Sequence, residues 1–568
     1  MVLIFLSWIY IIFSTTNFGY FLNKKLCSKN DNFVLINILG LFLITLVASF
    51  WAIFGRLNFE FHVFLFSINL IFFSNNRLEI LKVYRRFFEE VKHLTLFLKF
   101  FLFVTSILII ATCSTVPYVI DNESYYLQTI KWINEYGFVK GLVNLHFFLG
   151  QTSGWHIAQS VFNFSFIYDK FNDLSGYILL LGYVFSVLKL NHFFINKNIN
   201  YLIVGLFPIT SLFLFQFISA PSPDVPVYVL SFIIFFKFIE NFKKSDDQQF
   251  NLILILVLFC LFIKNTSLGL IFIPIFLFLQ NFRILSRKMF YPVLISFVVA
   301  SLFITKNMII CGAPIFPSKT FEFFTTNYSI PDTIESFYYD QLKYYGYFLN
   351  LEQYESMSKM DLFFRWLSLP KLNGLFNKIA VILILVLPFL IYKFNNVKSF
   401  WIIYFTFIIQ LILLFLTSPQ YRFFMNFILF FLLFLLVCFI RKKIFINTIL
   451  ILSLVPSVIV LLFPINMNSF SNYKFMLKLS NFSVQNIVFP HENTKLNTEF
   501  EKIKYGNLII NSPKDNSFFW ASGNGDLPCV NKTQIEYFKK YFFIVPQLRT
   551  TELKDGLYPK QIANPPTN

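Results

Sequence analysis

The sequence predicts an all-α polytopic membrane protein of about 12 to 14 transmembrane helices, closed by a small C-terminal α/β or β-rich domain. Three observations carry that expectation. Of the 568 residues, 57% are hydrophobic and only 13% charged, whereas soluble domains carry about a quarter charged residues. The apolar residues fall in continuous runs of near membrane-spanning length. The formal charge of +18, from 47 Lys and Arg against 29 Asp and Glu, is concentrated in short segments between alternate runs.

From the N-terminus, apolar runs occupy 2–22, 33–54, 57–74, 96–113, 174–190, 201–218, 227–240, 250–263, 268–281, 291–309, 378–393, 399–417, 423–440 and 444–464. Several, notably the pair flanking Lys264, fall short of the roughly 20 residues that cross hydrocarbon unaided. The first run has no basic leader and no small-residue cleavage site, and Lys24 and Lys25 follow it, so it reads as an anchor.

Orientation follows from the distribution of Lys and Arg. With the N-terminus outside, the inner loops hold 18 of them in 67 residues and the outer segments 11 in 147. Clusters such as Arg85-Arg86, Lys243-Lys244 and Arg441-Lys442-Lys443 all fall inside. The positive charge is then a cytoplasmic rim, and a nucleic-acid partner is excluded. Three longer pieces lie outside: loops 114–173 and 310–377, and the tail 465–568. The tail divides the chain into a membrane domain (1–464) and a C-terminal domain. Its runs NLIIN (507–511) and YFFIVPQL (541–548), broken by turn signals such as SGNGD, read as strands.

Six cysteines without a C-x-x-C pair exclude a thiolate zinc site, while Cys311 and Cys529 share the outer side and leave a disulfide open. There is no P-loop, H-E-x-x-H, G-x-S-x-G or G-x-G-x-x-G, so nucleotide-driven, metalloprotease, esterase and dinucleotide chemistry lack support.

The first outer loop starts TVPYVIDNESYYLQTIKWINEY, with Tyr126, Leu127, Ile130 and Ile133 at helical spacing; the segment 125–136 reads as an amphipathic helix on the membrane surface. Asp121 and Glu123 precede or begin it. A carboxylate there meets a lipid-phosphate head group, or else caps the helix. Lys264 interrupts the apolar 252–280 stretch, Lys306 lies near one span's outer end and Arg422 begins the thirteenth run. Ionisable groups at membrane depth face a cavity or a partner, which makes them candidates for holding phosphate, Arg422 most of all through its bidentate fork. For Lys306 the rival is snorkelling to the interface. Asp224, in the Pro-rich turn SAPSPDVP, is a second acid or the N-cap of the next span, and the cap is preferred. His146 and His156 share the loop with Asp121, but their spacing matches no compact metal motif.

Several segments carry a resemblance: DNESYYLQTIKW (121–132), GLVNLH-x-x-LG (141–150), SAPSPD (219–224), IKNTS (263–267), KNMIICGAPIFPS (306–318), SPQYRF (418–423) and DLPC (526–529). Together they resemble a poorly characterised family of large bacterial inner-membrane proteins. The span end, acidic residue, helix and long outer loop look like the first loop of GT-C membrane glycosyltransferases, such as protein mannosyltransferases and lipid A aminoarabinose transferases.

The resemblance implies a GT-C-like fold in the bacterial inner membrane. It implies transfer of a sugar from a polyprenyl-phosphate donor to an outward-facing glycan, lipid or other acceptor, with Asp121 as general base or, as in some members, divalent-metal ligand. Lys264 and Arg422 would hold phosphate, with Lys306, Asp224, His146 and Glu123 as further substrate-binding candidates. Tyr126 stands where the family commonly has histidine, and Glu123 where it more often has a small residue. The alternatives are a polysaccharide polymerase or ligase and, in another class, a lipid-linked sugar flippase or transporter.

Overall fold

The computed structural model describes residues 1–27, 31–243, 245–318, 326–463, 465, 482–515 and 517–562. Nearly every predicted run is helical, but the helices differ in length and continuity. Among the described residues, eight are long and apolar enough to cross a membrane: Val2–Leu26, Phe33–Trp51, Leu96–Cys113, Leu174–Asn196, Phe290–Cys311, Lys371–Phe394, Lys398–Leu416 and Lys443–Leu462. A ninth is formed if the bent pair Asn265–Gln280 and Phe282–Lys288, which meet at 88°, counts as one span.

The smaller count has physical causes. The run 201–218 is not one helix but a chain of short turns around Pro208, from Ile199–Gly205 to Phe215–Phe217. Met425–Phe439 has only 15 residues. Asp224–Asn241 has 18 residues but carries three charges, Asp224, Lys237 and Glu240, while nearly all its apolar residues are buried among its neighbours. The third run continues as Phe59–Lys92, with a non-helical residue at Asn76, and so carries helix into the basic segment. Irregular backbone of this kind is tolerated where protein rather than lipid surrounds it.

Helix starts follow their caps. The Asn32 side chain accepts from the Leu35 amide at 3.1 Å, and that of Asp246 from the Gln249 amide at 3.0 Å. The first two helices pack closely because both present glycine: a Cβ on Gly19 would lie 1.8 Å from the Ile36 carbonyl oxygen, and one on Gly40 at 1.8 Å from that of Thr15.

The long loops gather at one end of the bundle. There, Ser114 at the end of Leu96–Cys113 accepts from the His491 amide (2.8 Å) and the Asn486 side chain (2.9 Å), and the Met1 amino group reaches the Asn486 carbonyl at 2.6 Å. Basic clusters meet at the other end, where Arg86 pairs with Asp31, and Lys288 with Asp247 at 2.9 Å.

The C-terminal region holds two separate antiparallel pairs. Strand β1 (Phe500–Tyr505) pairs with β2 (Leu508–Pro513) through a turn in which Gly506 has φ +61°. Strand β3 (Ile544–Leu548) pairs with β4 (Leu557–Gln561), and the helix Lys532–Phe542 precedes β3. The two expected strand runs thus supply β2 and β3, except that Tyr541 and Phe542 end the helix. The expected surface helix is a π-turn, Asn122–Tyr126, followed by Leu127–Tyr136, and its outer face is covered rather than laid on a membrane. Its polar residues explain why. Gln128 Nε2 donates to the carbonyls of Gly523 (3.1 Å) and Gly525 (2.9 Å), Lys131 Nζ to those of Asn524 (2.8 Å) and Gly525 (3.1 Å), and Asn134 to those of Leu57 (2.6 Å) and Ser160 (2.8 Å). Cys311 and Cys529 are both buried free thiols, donating to the Gly150 and Ser522 carbonyls, so no disulfide joins them.

A candidate functional site at the loop-bearing end

Four of the seven sequence candidates converge. Arg422 Nη1 lies 2.8 Å from Asp121 Oδ2, and Lys264 Nζ pairs with Asp224 Oδ1. The pairs are neighbours: Arg422 lies within electrostatic reach of both carboxylates, and Lys264 of both carboxylates and of Arg422. Phe423 lies between the cations, its ring centroid 4.4 Å from Lys264 Nζ and 5.2 Å from Arg422 Cζ.

Each member sits at a break in regular structure. Asp121 follows the span Leu96–Cys113 and enters the π-turn; its carboxylate makes no cap hydrogen bond and goes to Arg422 instead. Asp224 opens the helix Asp224–Asn241. The expected N-cap role does not hold: the buried carboxylate reaches Lys264, and the N-cap residue of this helix makes no side-chain cap hydrogen bond. Lys264 ends Asp247–Ile263, where the chain turns into the 3-10 segment Asn265–Ile271. Arg422 lies in the short turn Tyr421–Phe423, its backbone carbonyl accepting from Tyr228 Oη at 3.0 Å and its Nε donating to Gln420 Oε1 at 3.1 Å.

Gln410 was not foreseen as part of this site. Its Oε1 accepts from the Gly269 amide at 2.8 Å, and its Nε2 donates to the carbonyls of Thr266 (2.6 Å) and Phe423 (3.3 Å), tying the Lys264 turn to the Arg422 turn. An added Cβ on Gly269 would fall 2.4 Å from Gln410 Oε1. The available signal was a lone amide inside the apolar run 399–417, which costs free energy unless paired. Tyrosines were missed as well: Tyr125, Tyr126, Tyr228, Tyr345 and Tyr421 all lie within electrostatic reach of Arg422. Burial raises the Tyr125 and Tyr126 phenols well above their ordinary range, so both stay protonated donors. The Tyr126 hydroxyl approaches Asp121 Oδ2 to 3.5 Å, at the outer limit of a hydrogen bond.

Two polar atoms of the cluster are left open. Asp121 Oδ1 and Arg422 Nη2 make no hydrogen bond among the described residues, and their side chains are 20% and 29% exposed. The cluster therefore offers one free carboxylate oxygen beside one free guanidinium nitrogen.

The other three candidates lie elsewhere. Lys306 is buried rather than snorkelling, and its Nζ donates to the Thr152 carbonyl of the first loop. Glu123 is fully buried and anchors the C-terminal region: its carboxylate accepts from Thr494 Oγ1, the Lys495 amide (2.8 Å) and Asn122 (3.0 Å), and its carbonyl from the amides of Ser522 (2.9 Å) and Gly523 (2.8 Å). Burial raises its carboxyl pKa, and those hydrogen bonds offset part of the rise. His146 is buried in the seam between the first loop and the C-terminal region, its Nδ1 accepting from the Phe148 amide at 3.1 Å. Burial lowers it to about 4, so the ring is neutral, with the proton on Nε2 donated to the Trp520 carbonyl at 3.4 Å.

Among the described residues, no three His, Cys, Asp or Glu side chains gather in a way that could hold a metal ion. A cavity of about 20 Å³, room for one water, lies between the same seam's Asn144, Phe147, Phe538 and Ile544, apart from the charged cluster.

Comparison with curated proteins finds no match, and neither does comparison with solved structures. A family model described as a domain of unknown function, DUF8201, matches residues 1–429, a stretch that contains all four members of the charged cluster. The chain belongs to the DUF8201 family.

Proposed function

We propose that the protein is a membrane glycosyltransferase of GT-C type, transferring a sugar from a polyprenyl-phosphate donor to a glycan or lipid acceptor on the outer face of a bacterial inner membrane. The observation that carries the reading is the convergence of Asp121, Arg422, Asp224 and Lys264 at the end of the bundle that bears the long loops. A lipid-phosphate substrate presents its head group at such an end, with its chain in the hydrocarbon.

Each residue has a distinct task. Asp121 Oδ2 is held by Arg422, which leaves Oδ1 to take the proton of the attacking hydroxyl. As the acceptor oxygen bonds to the anomeric carbon, the bond from that carbon to the phosphate oxygen breaks and its electron pair leaves with the phosphate. Arg422 Nη2 and the Lys264 ammonium stabilise that charge. Asp224 and Gln410 hold the two cations in place.

Replacing Asp121 by Asn tests the reading. Membranes carrying the variant at normal abundance should transfer glycan at least about a hundredfold more slowly, in line with loss of a general base. Full transfer by that variant sinks the assignment, and movement of an unmodified lipid-linked sugar across the membrane favours a flippase.

A further inference from the structure

Beside the charged cluster runs a row of partly exposed aromatic rings built from two distant parts of the chain. Tyr125 packs edge-on against Tyr126, whose hydroxyl points at Asp121. From Tyr125 the row continues to Phe148 (centroids 5.3 Å apart) and on to Trp520 of the C-terminal region (4.9 Å). All three rings pack against the core on one side and keep part of their surface open.

The row is held in place from beneath. The Trp520 carbonyl accepts from His146 Nε2, while the following Ser522 and Gly523 amides bind the Glu123 carbonyl two residues from Asp121. Ser522 Oγ also donates to the Ser124 carbonyl at 2.7 Å. The Trp520 indole N–H makes no hydrogen bond among the described residues and is not enclosed. An indole N–H open in this way is free to donate to water or to a ligand oxygen.

From this geometry we infer that Tyr125, Phe148 and Trp520 form a carbohydrate-binding ledge, which seats a pyranose of the acceptor glycan with its hydroxyl directed at Asp121. The inference rests on the glycosyltransferase reading and names the side of the site that the acceptor uses. Three features favour a sugar over a lipid chain. The surface is aromatic, and the axial C–H bonds of a pyranose face complement the electron-rich face of a ring. The open indole N–H matches a hydroxyl acceptor. The ledge also leads from the C-terminal region, where a large acceptor can approach, through Tyr126 to the Asp121 carboxylate.

The test uses the full-length protein in lipid nanodiscs and a panel of free hexasaccharides of glucose, galactose, mannose, rhamnose and N-acetylglucosamine, with binding read by saturation-transfer NMR. At least one should bind wild type. Trp520→Ala should weaken it about tenfold, and Trp520→Phe by less, because an aromatic face remains although it is smaller and lacks the N–H. Asp121→Asn should still bind while losing transfer. If Asp121→Asn transfers normally while Trp520→Ala loses binding, the ledge stands and the proposed reaction falls. Absence of binding across the panel, or equal binding by Trp520→Ala with unchanged thermal stability, overturns the ledge.

Discussion

Arg422 and Asp121 lie 301 residues apart in the chain and meet at 2.8 Å through one nitrogen and one oxygen, leaving the other arm of each group open. The pair is therefore both a structural tie between the first loop and the Tyr421–Phe423 turn and a half-used recognition surface. A lysine in place of Arg422 keeps the charge but loses the fork, since an ammonium is a point donor without fixed geometry. Arg422→Lys should hold thermal stability to within a few degrees and lower transfer by at least about tenfold. Equal activity of the two proteins would falsify phosphate recognition by the guanidinium.

The second pair behaves differently because it is deeper. The Asp224 side chain is 3% exposed, so Lys264→Met leaves an uncompensated buried carboxylate. Breaking such a pair from one side costs about 3 to 5 kcal/mol, whereas replacing both partners is far cheaper. Lys264→Met should thus lower the melting temperature of the purified protein sharply, and adding Asp224→Asn should restore most of the loss. A double variant no more stable than the single one counts against the pair.

The seam between the first loop and the C-terminal region should loosen in acid. His146 has an ordinary value of 6.5 and is held at about 4 by burial. A histidine depressed in the folded state contributes stability above its unfolded pKa. That stability is lost as pH falls through 6.5 towards 4, because the unfolded chain takes up the proton first. His156, held at about 3 by burial and by Lys306, adds to the same trend. Thermal melts between pH 7 and pH 4 should show the decline, and His146→Gln should flatten part of it. A curve of unchanged slope in the variant removes His146 from the effect.

Lys131 binds two carbonyls of the 524–525 turn, and no described aliphatic side chain could replace those bonds. Lys131→Met should expose residues 517–526 to limited proteolysis at rates several times those of wild type, with the helical bundle intact, since local opening governs cleavage. Unchanged cleavage shows that Gln128 and Glu123 suffice to hold the region.

The members of the cluster could be read in the sequence one at a time, but not together. Lys264 and Arg422 stand out because a charge in apolar surroundings is costly and needs a reason, and Asp121 because it lies at the outer end of a span, just before an amphipathic helix. Their pairing depends on contacts across 301 and 40 residues, which no local pattern encodes. Asp224 was read as a cap because its local context, Pro-rich turn then helix, is that of a cap; a buried ammonium from another helix decided otherwise. The run 201–218 looked like a span because hydropathy does not register broken helix geometry. The tyrosines and Gln410 carry no distinctive spacing, and the amphipathic segment 125–136 reads as a membrane-surface helix because its partner, the 523–525 turn, lies almost 400 residues later.

The contacts around Glu123 also impose an order in time. The amides and carbonyls that hold the Asp121 loop come from residues 494–525, which leave the ribosome after all the candidate spans among the described residues have been made. While the helices are being inserted, the carboxylate of Glu123 and the side chains of Gln128 and Lys131 have no protein partners from that region. The loop reaches its final setting only when the end of the chain folds back onto it, so a truncated or stalled product carries the acidic residue but not the frame that aims it.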